Sequence, residues 1–580
     1  MTTTVNHRLD GGELLGRTLA AAGVDHVFAL HGGHLESFWQ SCLRHGLRLV
    51  DFRHEASAGH AADAWARTTG RLGVCAVTSG PGFTNAITAI TNAYLDAIPV
   101  LFIVSSPPLR DVETNPLQGG VDQIAMALPS VKWAHRVTHV ERIPELLAQA
   151  VRTCVNGRPG PVLLEVPIDV VHMPVAEALV QPARGLAVRT RPAPTPEDVQ
   201  AIVAMLHQAA RPALFVGNGV RFAGAEEELR RFAETSGIPV FCGGHGYGAL
   251  PHAHPLWGRD FALLSLLAMG GQPGADAVLV VGARLGMFSG GRLGTPIGAD
   301  VPVAQIDLDA SEFGRLREVK IPVLADAREA LRALADAAAQ VKWPERSQWA
   351  ATATALKTMV SAGFAPAEPQ ATPVHPHHAV AAIADTAPAG TVFVVDGGEA
   401  SAWAHMGLRV DAMHQLIGAG YHGCLGVGPG MAIGAALAHP GTPVVLVTGD
   451  GAIGFHIQEF ETMARLGLPI VTVVLDNAMW GMSAHGQDLI YGRDKRVIST
   501  LPGTPYDAVA AAFGCRGERV ERLAELAPAL RRALDAGAPT CIDVRIDPEQ
   551  MHPSMPAMVG ADHPADNEIM IPYYDNIRLG

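Results

Sequence analysis

Leu446-Val447-Thr448-Gly449-Asp450-Gly451, answered one strand later by Asp476-Asn477, is the stretch on which the fold turns. The apolar run Val444 to Val447 reads as a strand that delivers a carboxylate between two glycines to its C-terminal end. Ile457, Phe460, Met463 and Ala464 then fall at helical spacing, and Ile470 to Leu475 reads as a second strand that ends on a carboxamide. In a parallel sheet such strand ends share one edge, where open α/β folds bind ligands. Asp450 and Asn477 there offer two oxygens to one hard divalent cation, and the glycines let backbone N–H groups approach a diphosphate. Gly-Asp-Gly alone is a common turn; the strand, helix, strand and closing Asn around it point to a diphosphate held through Mg2+.

The chain of 580 residues is 48% hydrophobic, enough for several cores and, by length, about three to four domains. A net charge of −13, with no basic block longer than Arg493-Asp494-Lys495-Arg496, argues against a nucleic-acid partner. The apolar runs are strand-sized and interrupted by Gly and Pro, so no membrane span is expected. Met1 to Arg8 lacks the apolar core of a signal peptide. Seven scattered cysteines without a CxxC pair read as buried thiols in a reducing compartment, which gives a cytoplasmic expectation.

Strand and helix signals alternate throughout, with strands expected near Val100 to Val104, Ala213 to Val216, Ala277 to Val281 and Val392 to Val395. Proline-rich stretches from Gln181 to Pro196 and from Phe364 to Pro376 divide the chain. The fold class expected is α/β: three doubly wound parallel-sheet domains over residues 8–180, 192–345 and 375–550. Residues 551–580, rich in Pro, Met and Tyr, show no period and read as a tail that gains structure only by packing.

The strand-like run Leu47 to Val50 leads through Asp51-Phe52-Arg53-His54 to Glu55, and a small-residue helix, Ala56 to Asp63, follows. A glutamate at such a junction is ordinarily just a first-turn helix residue. Paired with the Gly-Asp-Gly…Asn unit, it resembles the thiamine diphosphate (ThDP) enzymes. Thr78-Ser79-Gly80-Pro81-Gly82-Phe83-Thr84-Asn85 and Gly160 to Pro167 are similar to the acetolactate synthase-like superfamily, and the likeness runs through nearly the whole chain. It implies pyrimidine-binding, central and diphosphate-binding domains, in that order, with ThDP and Mg2+ as cofactors. It implies that Glu55 hydrogen-bonds the aminopyrimidine ring and so activates the thiazolium carbon. It also implies an active site between two chains, with Glu55 of one facing Gly449 to Asn477 of the other, in a homodimer or homotetramer.

Within that superfamily, Leu30-His31-Gly32-Gly33-His34, Leu109 to Asn115, Leu117-Gln118, Asp122-Gln123 and Lys132 to Val137 resemble benzaldehyde lyase. The resemblance implies that His31 shuttles the substrate hydroxyl proton and that Gln118 hydrogen-bonds substrate or water; each reads equally as a structural residue by itself. It places Gly397, Gly398, Glu399, Ala400 and Gly423 against the cofactor, with Leu425 wedging its rings. Gly449, Gly451 and Ala452 complete the cradle, and Asp450, Asn477 and the Met479 carbonyl hold Mg2+, with Trp480 packing nearby. Glu399 adds a carboxylate by the diphosphate turn or caps the helix there. The expected substrate pocket departs from benzaldehyde lyase at Leu30, Ile168, Ser401 and Met482, and at Ala419, where a histidine is expected. Losing aromatic walls favours an aliphatic or more polar substrate.

The activity expected is a ThDP- and Mg2+-dependent lyase or carboligase of 2-hydroxy ketones. Two alternatives share the superfamily: a 2-hydroxyacyl-CoA lyase or oxalyl-CoA decarboxylase releasing formyl-CoA, with Arg493, Lys495 and Arg496 toward CoA phosphates, and a decarboxylating 2-keto acid carboligase. The tail, with Pro572-Tyr573-Tyr574, would then be a lid or a subunit contact. Val280 to Arg284 and Gln305 to Asp309 resemble segments that hold FAD or ADP, but without a full G-x-G-x-x-G the central domain is expected to be vacant. A non-catalytic relative would be expected to lack Glu55, Asp450 or Asn477, and all three are present.

Overall fold

The computed structural model describes residues 9–286, 289, 296–363, 372–559, 567–572, 574 and 577–579. Met1 to Arg8, most of the Phe364–Pro376 stretch and Tyr573 lie outside the described residues. Three six-stranded sheets form the frame. The first contains β1 (His26–Ala29), β2 (Arg48–Asp51), β3 (Gly73–Val77), β4 (Val100–Ser106), β5 (Trp133–Arg136) and β6 (Val162–Pro167). The second contains β7 (Pro212–Val216), β8 (Val240–Cys242), β9 (Trp257–Asp260), β10 (Ala277–Val281), β11 (Val303–Asp307) and β12 (Ile321–Leu324). The third contains β13 (Val392–Asp396), β14 (Leu416–Gly418), β15 (Val444–Gly449), β16 (Ile470–Asp476), β17 (Arg516–Val520) and β18 (Thr540–Arg545).

Every strand pairing within the three is parallel. Central strands such as β4 and β16 are buried at every residue, as strands covered by helices on both faces must be, and their unbroken Val/Ile/Leu runs reflect this. The strand orders are β2-β1-β3-β4-β6-β5 and β14-β13-β15-β16-β18-β17 in the first and third sheets. Each reverses direction between its first and third strands. That switch opens a crevice at the carboxyl ends of β1 and β3, and another at those of β13 and β15. The second sheet switches between β7 and β10. There the chain closes on itself: the Gly219 N–H donates to the Gly282 carbonyl at 2.9 Å, and a Cβ on either glycine would meet the other at 2.6 Å.

The described residues up to Thr190 form one compact unit together with Ala419–Pro440. The helix Glu55–Thr69 is its spine. The helix Val427–Ala438 lies against it through two glycines: a Cβ on Gly430 would sit 2.6 Å from the Ser57 carbonyl, and one on Gly434 2.3 Å from that of Ala61. Polar bonds hold the approach to this helix. Buried Arg67 pairs with Asp63 and, at 2.9 Å, with Asp96, whose other oxygen accepts from the Tyr421 N–H at 3.3 Å. The Asn92 amide donates to Asp63 at 3.1 Å and its oxygen accepts from the Cys424 thiol at 3.3 Å.

The second unit is Arg191–Gly418 with the described residues from Gly441 onward, and it contains the second and third sheets. The tail has structure of its own. Met555–Val559 is a short helix packed on the helix Gly481–Tyr491, and Glu568–Ile569 pairs antiparallel with Ile577–Arg578. All seven cysteines are free thiols, six of them buried and Cys424 half-buried. No helix among the described residues is long and apolar enough to cross a membrane.

Candidate active site

The Gly-Asp-Gly turn lies at the switch point of the third sheet. β15 ends at Gly449, and Asp450 opens a single helical turn, Asp450–Ile453. Beside it β13 ends at Asp396, whose carboxylate accepts from the Gly397 N–H at 2.7 Å. Gly397 has φ +103°, which only glycine adopts freely, so this turn cannot carry a side chain. The positions expected to meet the diphosphate converge here. A Cβ on Gly397 would lie 3.3 Å from the Gly449 nitrogen, 3.4 Å from the Ala400 Cβ and 3.6 Å from the Ala452 Cβ. Gly398 precedes the helix Glu399–Gly407 and no side chain caps it, the kind of helix start whose amides suit phosphate oxygens.

The two expected metal ligands meet at a single hydrogen. The Met479 N–H is approached by Asp450 Oδ2 and by Asn477 Oδ1, each at 3.2 Å. The backbone between them is bent to do this. Ala478 has φ +55°, an alanine in the left-handed region that costs about 1 kcal/mol or more. Its N–H is tied to Asp476 at 2.9 Å and its carbonyl to the Leu501 N–H at 2.8 Å, which hold the strained residue in place. Asp476 is in turn paired with Arg545.

Burial, together with the neighbouring Asp476, pushes the Asp450 carboxyl up to about 8. The buried Asp450 carboxylate and the Asn477 amide oxygen, aimed at one point, fit a divalent metal with hard-oxygen preference. Trp480 packs as expected: its ring meets Phe455 edge-on at 6.2 Å, and a Cβ on Gly451 would sit 2.5 Å from it.

Glu399 does not cap its helix, the second of the two roles expected for it. It is the first residue of that helix, and its carboxylate is bonded to His485. His485 Nδ1 lies 2.8 and 3.0 Å from the two carboxylate oxygens, and His485 Nε2 lies 3.0 Å from the Pro548 carbonyl. A carbonyl only accepts, so Nε2 donates to Pro548, and Nδ1 faces the carboxylate as a second donor would. Burial by itself lowers the pKa of His485, but the bond and charge of Glu399 outweigh this and raise it. The same carboxylate accepts the His552 N–H at 2.5 Å.

In the first unit, Glu55 opens the helix Glu55–Thr69, is 7% exposed, and accepts from the Asn85 amide at 3.0 Å. Its other oxygen lies 3.7 Å from where a Cβ on Gly82 would be. Gln118, at φ +60°, meets the carboxyl end of β3: Thr78 Oγ1 donates to its side-chain oxygen at 3.4 Å, and Ser79 Oγ approaches its backbone and side-chain oxygens at 3.2 and 3.3 Å.

His31 does not join this group. Its imidazole is 66% exposed and bonded to Glu36 at 3.2 Å. His34 does: its Nδ1 lies 3.3 Å from Thr78 Oγ1, and burial, with a contribution from His172, lowers its pKa. The turn that aims His34 is set by Gly32, where a Cβ would stand 2.3 Å from that of Thr78. Both histidines stand in one pentapeptide, so the residue types alone do not show which ring turns inward.

Leu425, half-buried, precedes Gly426, the φ +79° cap of the helix Val427–Ala438, and Gly423 has φ +64°. Leu30 follows β1 and Ile168 begins a short helix after β6, both half-buried. On the second unit, Ser401 lies on the Glu399–Gly407 helix, and the Met482 side chain comes within 3.2 Å of a Cβ placed on Gly398.

The Gly397–Gly398 and Gly449–Gly451 turns, with the Asp450 and Asn477 oxygens beside them, meet at one switch point, the place where open α/β folds bind a cofactor. The thiamine pyrophosphate enzyme family matches in three parts: its N-terminal TPP binding domain over residues 9–126, its central domain over 199–334 and its C-terminal TPP binding domain over 396–544. A probable acetolactate synthase of Mycobacterium bovis is 32% identical over 94% of this chain and 97% of its own length. Acetolactate synthase isozyme 2 large subunit of Escherichia coli is 30% identical over 94% and 98%. A probable acetolactate synthase large subunit of Methanocaldococcus jannaschii is 28% identical over 94% of each. The chain belongs to the thiamine diphosphate-dependent, acetolactate synthase-like superfamily, and is an enzyme of its carboligase/lyase type.

Proposed function

We propose that this enzyme splits or forms 2-hydroxy ketones with ThDP and Mg2+, and that His34, not His31, handles the substrate proton. The observation that carries this reading is the His34–Thr78–Gln118 chain at the switch point of the first sheet. When bound, ThDP supplies a nucleophilic carbon that adds to a carbonyl and an electron sink for the bond that breaks. The protein's own residues do the rest. Asp450, Asn477 and the Met479 carbonyl would hold Mg2+, and backbone amides at Gly397–Ala400 and Gly449–Ala452 would orient the diphosphate. Leu425 would keep the cofactor rings bent. Glu55 would hold a proton at the pyrimidine ring. Thr78 occupies His34 Nδ1, so Nε2 is the atom that would take and return the substrate hydroxyl proton, with Gln118 orienting the oxygen.

The pocket would be walled by Leu30, Ile168, Ser401 and Met482, without aromatic faces, which suits an aliphatic acyl group better than a benzoyl group. In this reading residues 8–180, 192–345 and 375–550 serve as pyrimidine-binding, central and diphosphate-binding domains of a cytoplasmic homodimer or homotetramer. Its sites would combine Glu55 of one chain with Asp450 of another.

A second reading is a carboligase that decarboxylates a 2-keto acid, supported by the names of the acetolactate synthase relatives. The acyl-CoA alternative has less support. Arg493 is paired with Glu549, Lys495 with Asp494 at 2.9 Å and Arg496 with Asp488 at 2.6 Å, so each of these cations already meets a carboxylate. The test is to incubate the ThDP- and Mg2+-loaded protein separately with acetoin, benzoin, pyruvate and 2-hydroxyisobutyryl-CoA, and to identify products by mass. Aldehyde from acetoin without CO2 is the expected outcome. CO2 and acetolactate from pyruvate would transfer the chain to the second reading, and formyl-CoA to the third.

A further inference from the structure

The third sheet holds a buried ion pair that the chemistry above does not use. Glu399 and His485 are 6% and 1% exposed. They join three pieces of chain: the helix that starts at the Gly397–Gly398 turn, the helix that follows the Asn477–Met479 turn, and the segment that begins at His552. On one side the Glu399 carboxylate stands against the cofactor elements. A Cβ added to Gly481 would meet Glu399 Oε2 at 2.7 Å and Asn477 Nδ2 at 2.8 Å, so glycine is required where the carboxylate and the amide come together.

On the other side it receives the His552 N–H, and His485 Nε2 donates to Pro548 just upstream. The His552 ring is bonded at Nδ1 to Ser554 Oγ at 2.7 Å and stands edge-on to Trp403, on the Glu399 helix, at 4.7 Å. Met555 and Val559 behind it are fully buried. An unpaired buried carboxylate is costly, so Glu399 stays in this arrangement only while both His485 and the His552 N–H are in place.

We propose that Glu399 is a positioning residue that couples cofactor binding to docking of residues 551–559: ordering the diphosphate and metal turns fixes Glu399, and fixed Glu399 holds the segment down. This rests on the cofactor site proposed above. By linkage, whatever factor the cofactor adds to docking, docking adds to cofactor affinity.

The test uses the full-length protein. Hydrogen exchange of the amides of residues 552–559 is measured with and without ThDP plus Mg2+, beside the dissociation constant for ThDP. Wild-type exchange is expected to slow about fivefold or more on loading, the lower end of ordinary coupling. In Glu399→Gln, which keeps an acceptor but loses the ion pair, the slowing should fall below about twofold and ThDP should bind correspondingly more weakly. Met555→Asp, which undocks the segment from its far end, should weaken ThDP binding by a similar factor. The double variant should bind ThDP no worse than the weaker single variant, whereas two separate local defects would multiply. Unchanged protection in Glu399→Gln with ThDP still bound, or multiplying losses, would overturn the coupling alone. A wild type that takes up no ThDP would overturn the cofactor site and the coupling with it.

Discussion

His34 and His31 flank the same pair of glycines, yet only one faces the Thr78–Gln118 edge. Their roles differ in what substitution should cost. On the proposed reading His34→Ala removes the proton-transfer group and is expected to lower the turnover number for acyloin cleavage by about 100-fold or more, with ThDP uptake preserved. His31→Ala removes an exposed pair with Glu36 and is expected to change it by less than about threefold, as surface pairs are weak. Steady-state rates of both variants on one substrate decide between them; the reverse ranking would return the proton role to His31.

A second residue-scale prediction concerns Asp543 in the middle of β18. Neither carboxylate oxygen has a hydrogen-bond partner, and burial, followed by the Asp476 charge, pushes the group from its ordinary 3.8 up to about 7. A carboxyl raised on folding contributes stability below its unfolded pKa and loses it as pH rises through the folded value. Wild type should therefore weaken between about pH 4 and about pH 7, and Asp543→Asn should not share that loss. The unfolding free energy of the variant relative to wild type, from denaturant titrations, should climb over that window and then level, by about 1–3 kcal/mol in all. A pH-independent offset would mean that the group is already ionised in the folded protein.

At the scale of elements, the strands were legible because burial on both faces leaves an unbroken apolar run. Ala277–Val281 falls where the composition puts it, and Val392, Val444 and Ile470 start their strands as expected. The ends extend one or two polar residues further, to Asp396, Gly449 and Asp476, because the ladder bonds continue until the turn begins. The partner of the Ala419–Pro440 segment was not legible. Its glycines at 430 and 434 mark one close-packing face, but which helix fills it depends on contacts across hundreds of residues. The packing gives Glu55 and Leu425 a common support. Arg67→Ala tests that support: it leaves Asp63 and Asp96 buried beside each other without their cation. A loss of about 3–5 kcal/mol is expected, measured by chemical denaturation and accompanied by weaker ThDP binding, since the helix bearing Glu55 loses its anchor. A change below about 1 kcal/mol would place the triad in solvent in the working protein.

For the whole molecule, the first and third sheets repeat one strand order and put chemistry at the same place, the carboxyl ends flanking the reversal. Glu55 belongs to the first unit and Asp450 to the second; on the proposed cofactor site, turnover would need one copy of each. If sites form between chains, two dead variants rescue one another. In a mixed dimer of Glu55→Gln and Asp450→Asn chains, one site combines both lesions, while the other combines Glu55 from the Asp450→Asn chain with Asp450 from the Glu55→Gln chain. Random reassortment makes half the dimers mixed, so co-refolded or co-expressed variants should recover about a quarter of the wild-type rate, although each alone has almost none. Sites built within single chains would recover nothing, because no chain in the mixture carries both residues. The recovered rate, read against the fraction of mixed dimers counted by native mass spectrometry, also separates a genuine quarter from incomplete exchange.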